Sequence, residues 1–276
     1  MLNSKRINEI IFTLEKLFES DKKKTSRRKN ILNILIATKL SQHTTDLSSY
    51  KAFQNLKKEF STWEEVAKAP ASKIIRSINV CGLALTKAKD IKNMLLQMQT
   101  KYKSLNLNFL KKMTDDEIYS ELLAYKGIGK KTISCVLAFA MNRNVFPVDT
   151  HVHRILNRLG IVQTKSPDET FESAKKIIPD TKKISFHTNL IKFGRNVCKS
   201  FNPLCSLCPL FHLCNFNKKY YYIERYMPSQ VKRSEIPMNR DALEGGKSRK
   251  NNKFTPSQAP AWEGTMQINF IILENV

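Results

Sequence analysis

Apolar residues recur at three- and four-residue steps through most of the first 214 positions of this chain. Ile7, Ile10, Ile11, Leu14 and Leu17 mark one face of an amphipathic helix at the start. The charged run ESDKKKTSRRKN (19–30) interrupts the pattern as a connector. ILNILIATKLS (31–41) is apolar on nearly every side and predicts a buried helix. The same period predicts helices over 46–60, 62–68, 70–78, 84–101, 115–124, 130–142, 150–159, 168–177 and 183–196. Short polar connections join them, often starting with Ser, Thr or Asp as caps. No convincing run alternates with a period of two, so the body reads as all-α, with many short helices.

The character changes after Cys214. KKYYYIERY is basic and aromatic, and residues 234–265 gather Pro, Gly, Ser, Asn and charge with no helical period. Such a composition predicts a poorly ordered basic tail over 217–276. Its closing MQINFIILENV could form a strand but has no evident partner.

Charge narrows the partners. The 276 residues carry 47 Lys and Arg against 24 Asp and Glu, a formal net charge of +23. That excess favours polyanions, with nucleic acid first and anionic membrane second, although a lysine-rich proteome would also produce it. No apolar run approaches the roughly 18 residues that span a bilayer, and the N-terminus lacks the pattern of a secretory signal. A soluble intracellular protein is expected, in the cytoplasm or nucleoid of a prokaryote or the nucleus of a eukaryote.

In a reducing compartment the six cysteines point to a metal or cluster rather than to disulfides. Cys198, Cys205, Cys208 and Cys214 follow the spacing C-x6-C-x2-C-x5-C. Four thiolates so close can surround one tetrahedral ion or one cubane cluster. Zinc generally uses two C-x2-4-C knuckles, and only Cys205–Cys208 is one. The spacing therefore favours a [4Fe–4S] cluster over structural zinc. Cys81 and Cys135 lie in apolar surroundings and read as small core residues.

Between two of the predicted helices lies Lys126-Gly127-Ile128-Gly129-Lys130. The two glycines let the backbone turn sharply while Ile128 plugs into the core. Free N–H groups of the turn and the following helix start would then face outward and suit a phosphate. This is a helix-hairpin-helix element, which holds DNA backbone without reading sequence; an ordinary αα-hairpin is the plainer alternative. Lys131 sits in the first turn of the second helix. There the helix dipole, Lys130 and partial desolvation disfavour its ammonium, and an amine so depressed can act as a nucleophile. Asp149 precedes THVHRILNRLG and could simply cap that helix, a role compatible with catalysis.

YKGIGKKT (125–132), FPVDTH (146–151) and the cysteine spacing together resemble the endonuclease III family. Its members are base-excision DNA glycosylases/AP lyases of the helix-hairpin-helix-Gly/Pro-Asp superfamily. The resemblance runs from about residue 5 to about residue 216, in the family's order. LSQHTTD (40–46) is similar to its early helix-end motif, and CGLALTKAKDI (81–91) to its second DNA-facing loop. The resemblance implies a six-helix barrel over 25–135. It also implies an iron–sulfur domain formed by 1–24 with 136–216, and a DNA cleft between the two. Lys131 matches the nucleophile, Asp149 the catalytic aspartate, and Cys198, Cys205, Cys208 and Cys214 the [4Fe–4S] ligands. Lys199 begins a loop that in the family approaches DNA phosphates, here less basic than usual. Gln42 or His43, with Leu83, would fill the space left by a flipped nucleotide.

The implied activity is removal of oxidised pyrimidines from double-stranded DNA by a monomer. The strand is then cut 3′ to the abasic site by β-elimination through a lysine Schiff base. Two alternatives stay open: a mismatch-type thymine, uracil or adenine glycosylase of the same superfamily, and a non-enzymatic Fe–S DNA-binding module.

Overall fold

The computed structural model describes residues 4–18 and 30–226. Twelve α-helices and no strand occur among them: α1 (Ser4–Leu17), α2 (Ile31–Leu40), α3 (Asp46–Glu59), α4 (Trp63–Lys68), α5 (Ala71–Ile78), α6 (Ala84–Tyr102), α7 (Asp115–Leu123), α8 (Lys130–Cys135), α9 (Thr150–Arg158), α10 (Pro167–Ala174), α11 (Lys183–Asn196) and α12 (Lys219–Tyr226). Most of the connector 19–30 and the tail beyond Tyr226 lie outside the described residues.

Polar caps set the helix starts. Asn30, Thr45, Thr62, Thr114 and Ser166 each accept backbone N–H groups from the first turn that follows. At Thr114 the bond is reciprocated by Glu117, completing a capping box. α2 is buried along nine of its ten residues, as its unbroken apolar pattern predicts, and α3, α6 and α8 pack around it. α4 and α5 lie against α6, α5 also packs on α3, and α7 packs on α8. A second group forms around α11, which packs on α1 and α9, while α10 packs on α9. Fully enclosed Phe146, Phe186 and Phe193 fill that group, and each such burial contributes roughly 1.5–3 kcal/mol. Arg195 of α11 donates to Asp46 of α3 at 2.7 Å and joins the two groups.

Two sequence expectations need correction. The helix expected over 130–142 is α-helical only to Cys135 and widens into a π turn through Val136–Ala140. Apolar periodicity does not distinguish the two, because the buried face of Ile133, Val136 and Leu137 continues across the junction. The tail expected from 217 onward begins instead with α12. Phe211 and Tyr220 meet edge to face, Phe216 stacks on Tyr222, and Lys219 donates to the carbonyls of Phe211 and Cys214. Tyr222 and Ile223 of the stretch that reads as a cationic tail are packing residues of this last helix, while Tyr220 and Tyr221 stay exposed.

Candidate active site

The hairpin joins α7 to α8. Gly127 has φ +79°, a left-handed conformation that favours glycine, and a Cβ there would lie 1.9 Å from Lys39 Nζ. Gly129 has φ −111° and open space at its Cβ position. Only the first of the two glycines is therefore required by the turn. Ile128 is buried, as expected, while Lys126 and Lys130 are exposed. Beneath the turn, Lys39 Nζ pairs with Asp90 Oδ2 at 2.8 Å, both side chains nearly inaccessible, and reaches the Gly127 carbonyl at 3.4 Å. Gln42 Nε2 donates to the same carbonyl at 3.2 Å. Buried Lys87 donates at 2.8 Å to the carbonyls of both Leu40 and Cys81, with burial pushing its ammonium below the usual lysine range. These lysine and glutamine contacts tie three turns together: the end of α2, the 81–83 loop and the hairpin.

His43 and Leu83 stand at the first two of these turns. Both have left-handed backbones, φ 52° and 50°, and both are exposed, Leu83 to 59%. A non-glycine residue in that region is uncommon, and an apolar one left in water there is suited to contact something else. Gln42 is already engaged with the hairpin, whereas the side chain of His43 is free to project.

Lys131 follows Lys130 in the first turn of α8 and is half-buried. Burial works to remove its proton, but Cys135 one helical turn on and the Asp149 carboxylate hold the proton in place. The net direction is upward from the ordinary lysine value. This reverses the depressed amine expected from the helix dipole and Lys130. Cys135, four residues on in the sequence, and then the Asp149 carboxylate, distant in sequence, account for the difference. Asp149 caps α9: its Oδ1 accepts from the backbone N–H of His151 at 2.9 Å and Val152 at 2.8 Å. Two donors on one oxygen fix the carboxylate and leave Oδ2 available. Cys135 is buried as expected, and its thiol is pushed up by desolvation.

α9 also connects the carboxylate to the cysteines. Arg154 Nη2 donates to the Cys198 carbonyl at 2.8 Å and the Gly194 carbonyl at 3.1 Å. One turn later, Arg158 Nη1 donates to Cys198 Sγ at 3.4 Å and the Lys199 carbonyl at 2.7 Å. Both arginines, Arg6 on the carbonyls of Leu159 and Leu213, and Lys87 were missed by sequence reasoning. Their partners are backbone groups remote in sequence, which no local pattern signals. Lys199 is exposed, and its backbone is reached from α9 rather than from the catalytic pair.

Cys198, Cys205, Cys208 and Cys214 line one small cavity of about 20 Å³, together with Arg158 and Lys219. Burial raises the thiols of Cys205, to about 11, and of Cys208 and Cys214, and the neighbouring sulfurs raise them further. Enclosed together, these sulfurs would ionise only with a cationic centre between them. A tetrahedral zinc would draw its sulfurs to about 2.3 Å from one point. A multi-iron cluster instead places its metal atoms between the four sulfurs.

The profile of the family described as HhH-GPD superfamily base excision DNA repair protein matches residues 36–180. Endonuclease III of Thermotoga maritima is 34% identical over 213 residues, 77% of this chain and 94% of that protein. Endonuclease III of Sulfolobus acidocaldarius is 31% identical over 224 residues, 78% and 96% of the two chains. Among solved structures, a non-covalent endonuclease III–DNA complex superposes with a TM-score of 0.68 at 29% identity, covering 81% of this chain and all of that one. A trapped endonuclease III–DNA covalent intermediate, an estranged-adenine complex, gives the same TM-score at 30% identity, covering 80% of this chain and all of that one.

Proposed function

The chain belongs to the HhH-GPD superfamily of base excision DNA repair proteins, and within it to the endonuclease III family; from that premise we propose how its residues divide the work. The protein is a bifunctional base-excision DNA glycosylase and AP lyase. The observation that supports the assignment of roles is that Lys131, in the first turn after the hairpin, feels the charge of the Asp149 carboxylate, which two backbone N–H groups hold at the start of α9.

The two helix groups flank the DNA. Gly127, Gly129 and the exposed Lys126 and Lys130 receive backbone phosphates through N–H groups and charge. Lys199 contributes from the cysteine loop. Leu83 and His43 enter the space left when the damaged nucleotide leaves the stack, with Gln42 bracing the hairpin beside them. Because Lys131 holds its proton in the free protein, the amine must be uncovered after DNA binds, and Asp149 Oδ2 takes that proton. The freed lone pair attacks the sugar C1′ as the C1′–N bond breaks, and the base leaves with the bonding electrons. The ring opens to a Schiff base between Lys131 and C1′. Loss of a C2′ proton then expels the 3′ phosphate, cutting the strand 3′ to the lesion. Asp149 also offsets positive charge developing on the sugar.

Cys198, Cys205, Cys208 and Cys214 hold a [4Fe–4S] cluster, which supplies the cationic centre that four buried thiolates need. Arg158 and Lys219 complete that compensation. An oxidised pyrimidine is the lesion class that the family membership favours, and the protein acts as a monomer on damaged double-stranded DNA.

Borohydride trapping on a duplex containing an oxidised pyrimidine tests the reading. A covalent protein–DNA adduct should form and should vanish in Lys131→Gln. Undiminished trapping in that variant would remove Lys131 from its role.

A further inference from the structure

His187 of α11 is a buried group that the steps above do not use. Its ring is fully enclosed beside Phe139 and Phe146, at centroid separations of 5.8 and 6.3 Å. Nδ1 lies 2.8 Å from the Pro147 carbonyl. A carbonyl can only accept, so Nδ1 carries the hydrogen and Nε2 keeps a lone pair. Nε2 is buried and has no hydrogen-bond partner among the described residues. An orphaned buried acceptor costs about 1–3 kcal/mol. In an aromatic cluster a phenylalanine would pack as well without that cost, so the N–H must serve another purpose.

Its target is two residues upstream of Asp149. Phe146, Pro147 and Val148 form a buried segment without regular secondary structure between the π turn and α9, and Pro147 has no N–H of its own to anchor it. The charged groups acting on the ring are Asp149 and Lys131, and Lys131 in turn interacts with Cys135. A cation at position 187 would compete with Lys131 for the carboxylate; a neutral imidazole does not.

We propose that His187 is a positioning residue for the lyase reaction, its Nδ1–H fastening the Pro147 carbonyl so that Asp149, two residues on, stays where its charge acts on Lys131, while the ring itself stays uncharged. The ring's burial, which pushes its pKa down to about 4 against the opposing pull of Asp149, agrees with that neutrality. This inference rests on the roles given to Lys131 and Asp149.

Three substitutions separate the two ring nitrogens. Asn at 187 can place an amide N–H near the position of Nδ1, Gln places its amide near Nε2, and Phe keeps volume with neither. In His187→Gln and His187→Phe, single-turnover β-elimination on a preformed abasic site should fall about tenfold to a hundredfold, with His187→Asn retaining the rate within about threefold. The dissociation constant for the same DNA should not change. In His187→Phe the rise of rate with pH should also move to lower pH, because a loosened Asp149 no longer holds the Lys131 proton. A merely structural role would lower amplitude without moving that limb. A wild-type rate and pH profile in His187→Phe overturns the inference, as do equal losses in the Asn and Gln variants should the Phe variant fail to fold. Lys131→Gln run alongside keeps the two ideas apart: if trapping persists in it, the reading of Lys131 fails first.

Discussion

Lys39 and Asp90 form a 2.8 Å ion pair directly beneath the hairpin, with side chains only 7% and 8% exposed. The pair holds the Gly127 carbonyl from below, through Lys39 Nζ. Removing one partner of a buried pair leaves an uncompensated charge and typically costs about 3–5 kcal/mol, whereas replacing both by apolar groups is often neutral. Asp90→Asn should therefore lower stability by that order. The double variant Lys39→Met/Asp90→Leu should recover most of the loss in urea unfolding while still weakening DNA binding, because the hairpin loses its support. Equal stability in the single and double variants would contradict this account.

The hairpin's two glycines should respond unequally to alanine. Gly127→Ala combines a left-handed backbone with a Cβ placed 1.9 Å from Lys39 Nζ. It should destabilise the fold by at least about 1–2 kcal/mol from backbone strain alone, and weaken DNA affinity with it. Gly129→Ala has an ordinary φ and open space. Its stability should change by only a few tenths to about 1 kcal/mol, the difference between Gly and Ala as an N-cap. Thermal melts of the two variants, compared at equal ionic strength, check the contrast.

That inequality marks a limit of the sequence. Gly-x-Gly is visible as a turn, but which glycine carries the positive φ depends on what lies beneath, and Lys39 is far away in the chain. The helices were legible because each buries a stripe with a 3.6-residue period; α2 through α7 and α9 through α11 lie within a few residues of their expected bounds. α12 was not legible, because its aromatic residues pack on the cysteine segment and look the same, in sequence, as a cationic tail. At the site, Lys131 and Asp149 could be picked out by position, and the direction of the lysine's shift could not. Dipole and neighbour argue downward; the reversal comes from Cys135 one turn on, which reads in sequence as a plain core residue, and from the Asp149 carboxylate, which arrives through the fold.

Asp149 should separate into a cap and a charge. Asn caps a helix about as well as Asp, so Asp149→Asn should keep the bonds to His151 and Val152 and melt close to wild type. It removes the carboxylate that, with Cys135, holds the Lys131 proton. Because that interaction raises the lysine, its loss must lower it, and the ascending limb of the rate–pH profile should shift to lower pH. The plateau should fall by about 10²–10⁴, the usual contribution of a positioned general base. An unchanged limb would mean that the carboxylate does not act on Lys131.

The cysteine cavity makes a compositional prediction. Purified protein should be brown and carry iron rather than zinc, with broad visible absorption that bleaches on iron chelation. Cys208→Ser removes one thiolate from the most enclosed part of the cavity and should lose iron. Because Arg154 and Arg158 tie α9 to this segment, cluster loss should also weaken abasic-site binding. A colourless protein with stoichiometric zinc would overturn the assignment.

His187 gives stability its own pH dependence. Its folded pKa is depressed to about 4 from an unfolded value near 6.5, burial being the main cause and Asp149 opposing it. Below 6.5 the unfolded chain binds a proton at this ring that the folded chain refuses, so the unfolded state gains. The contribution is complete above pH 6.5 and is lost progressively down to about pH 4. At 1.36 kcal/mol per unit it amounts to about 3 kcal/mol over the full window. His187→Asn has no titrating ring, so its stability should decline less than that of the wild type between these limits, with both curves parallel above pH 7. Comparing the holoproteins by urea unfolding at matched pH cancels any shared acid sensitivity of the cluster. Parallel curves throughout the window would show that the ring accepts its proton as readily folded as unfolded, which its full enclosure and the charge of Lys131 argue against.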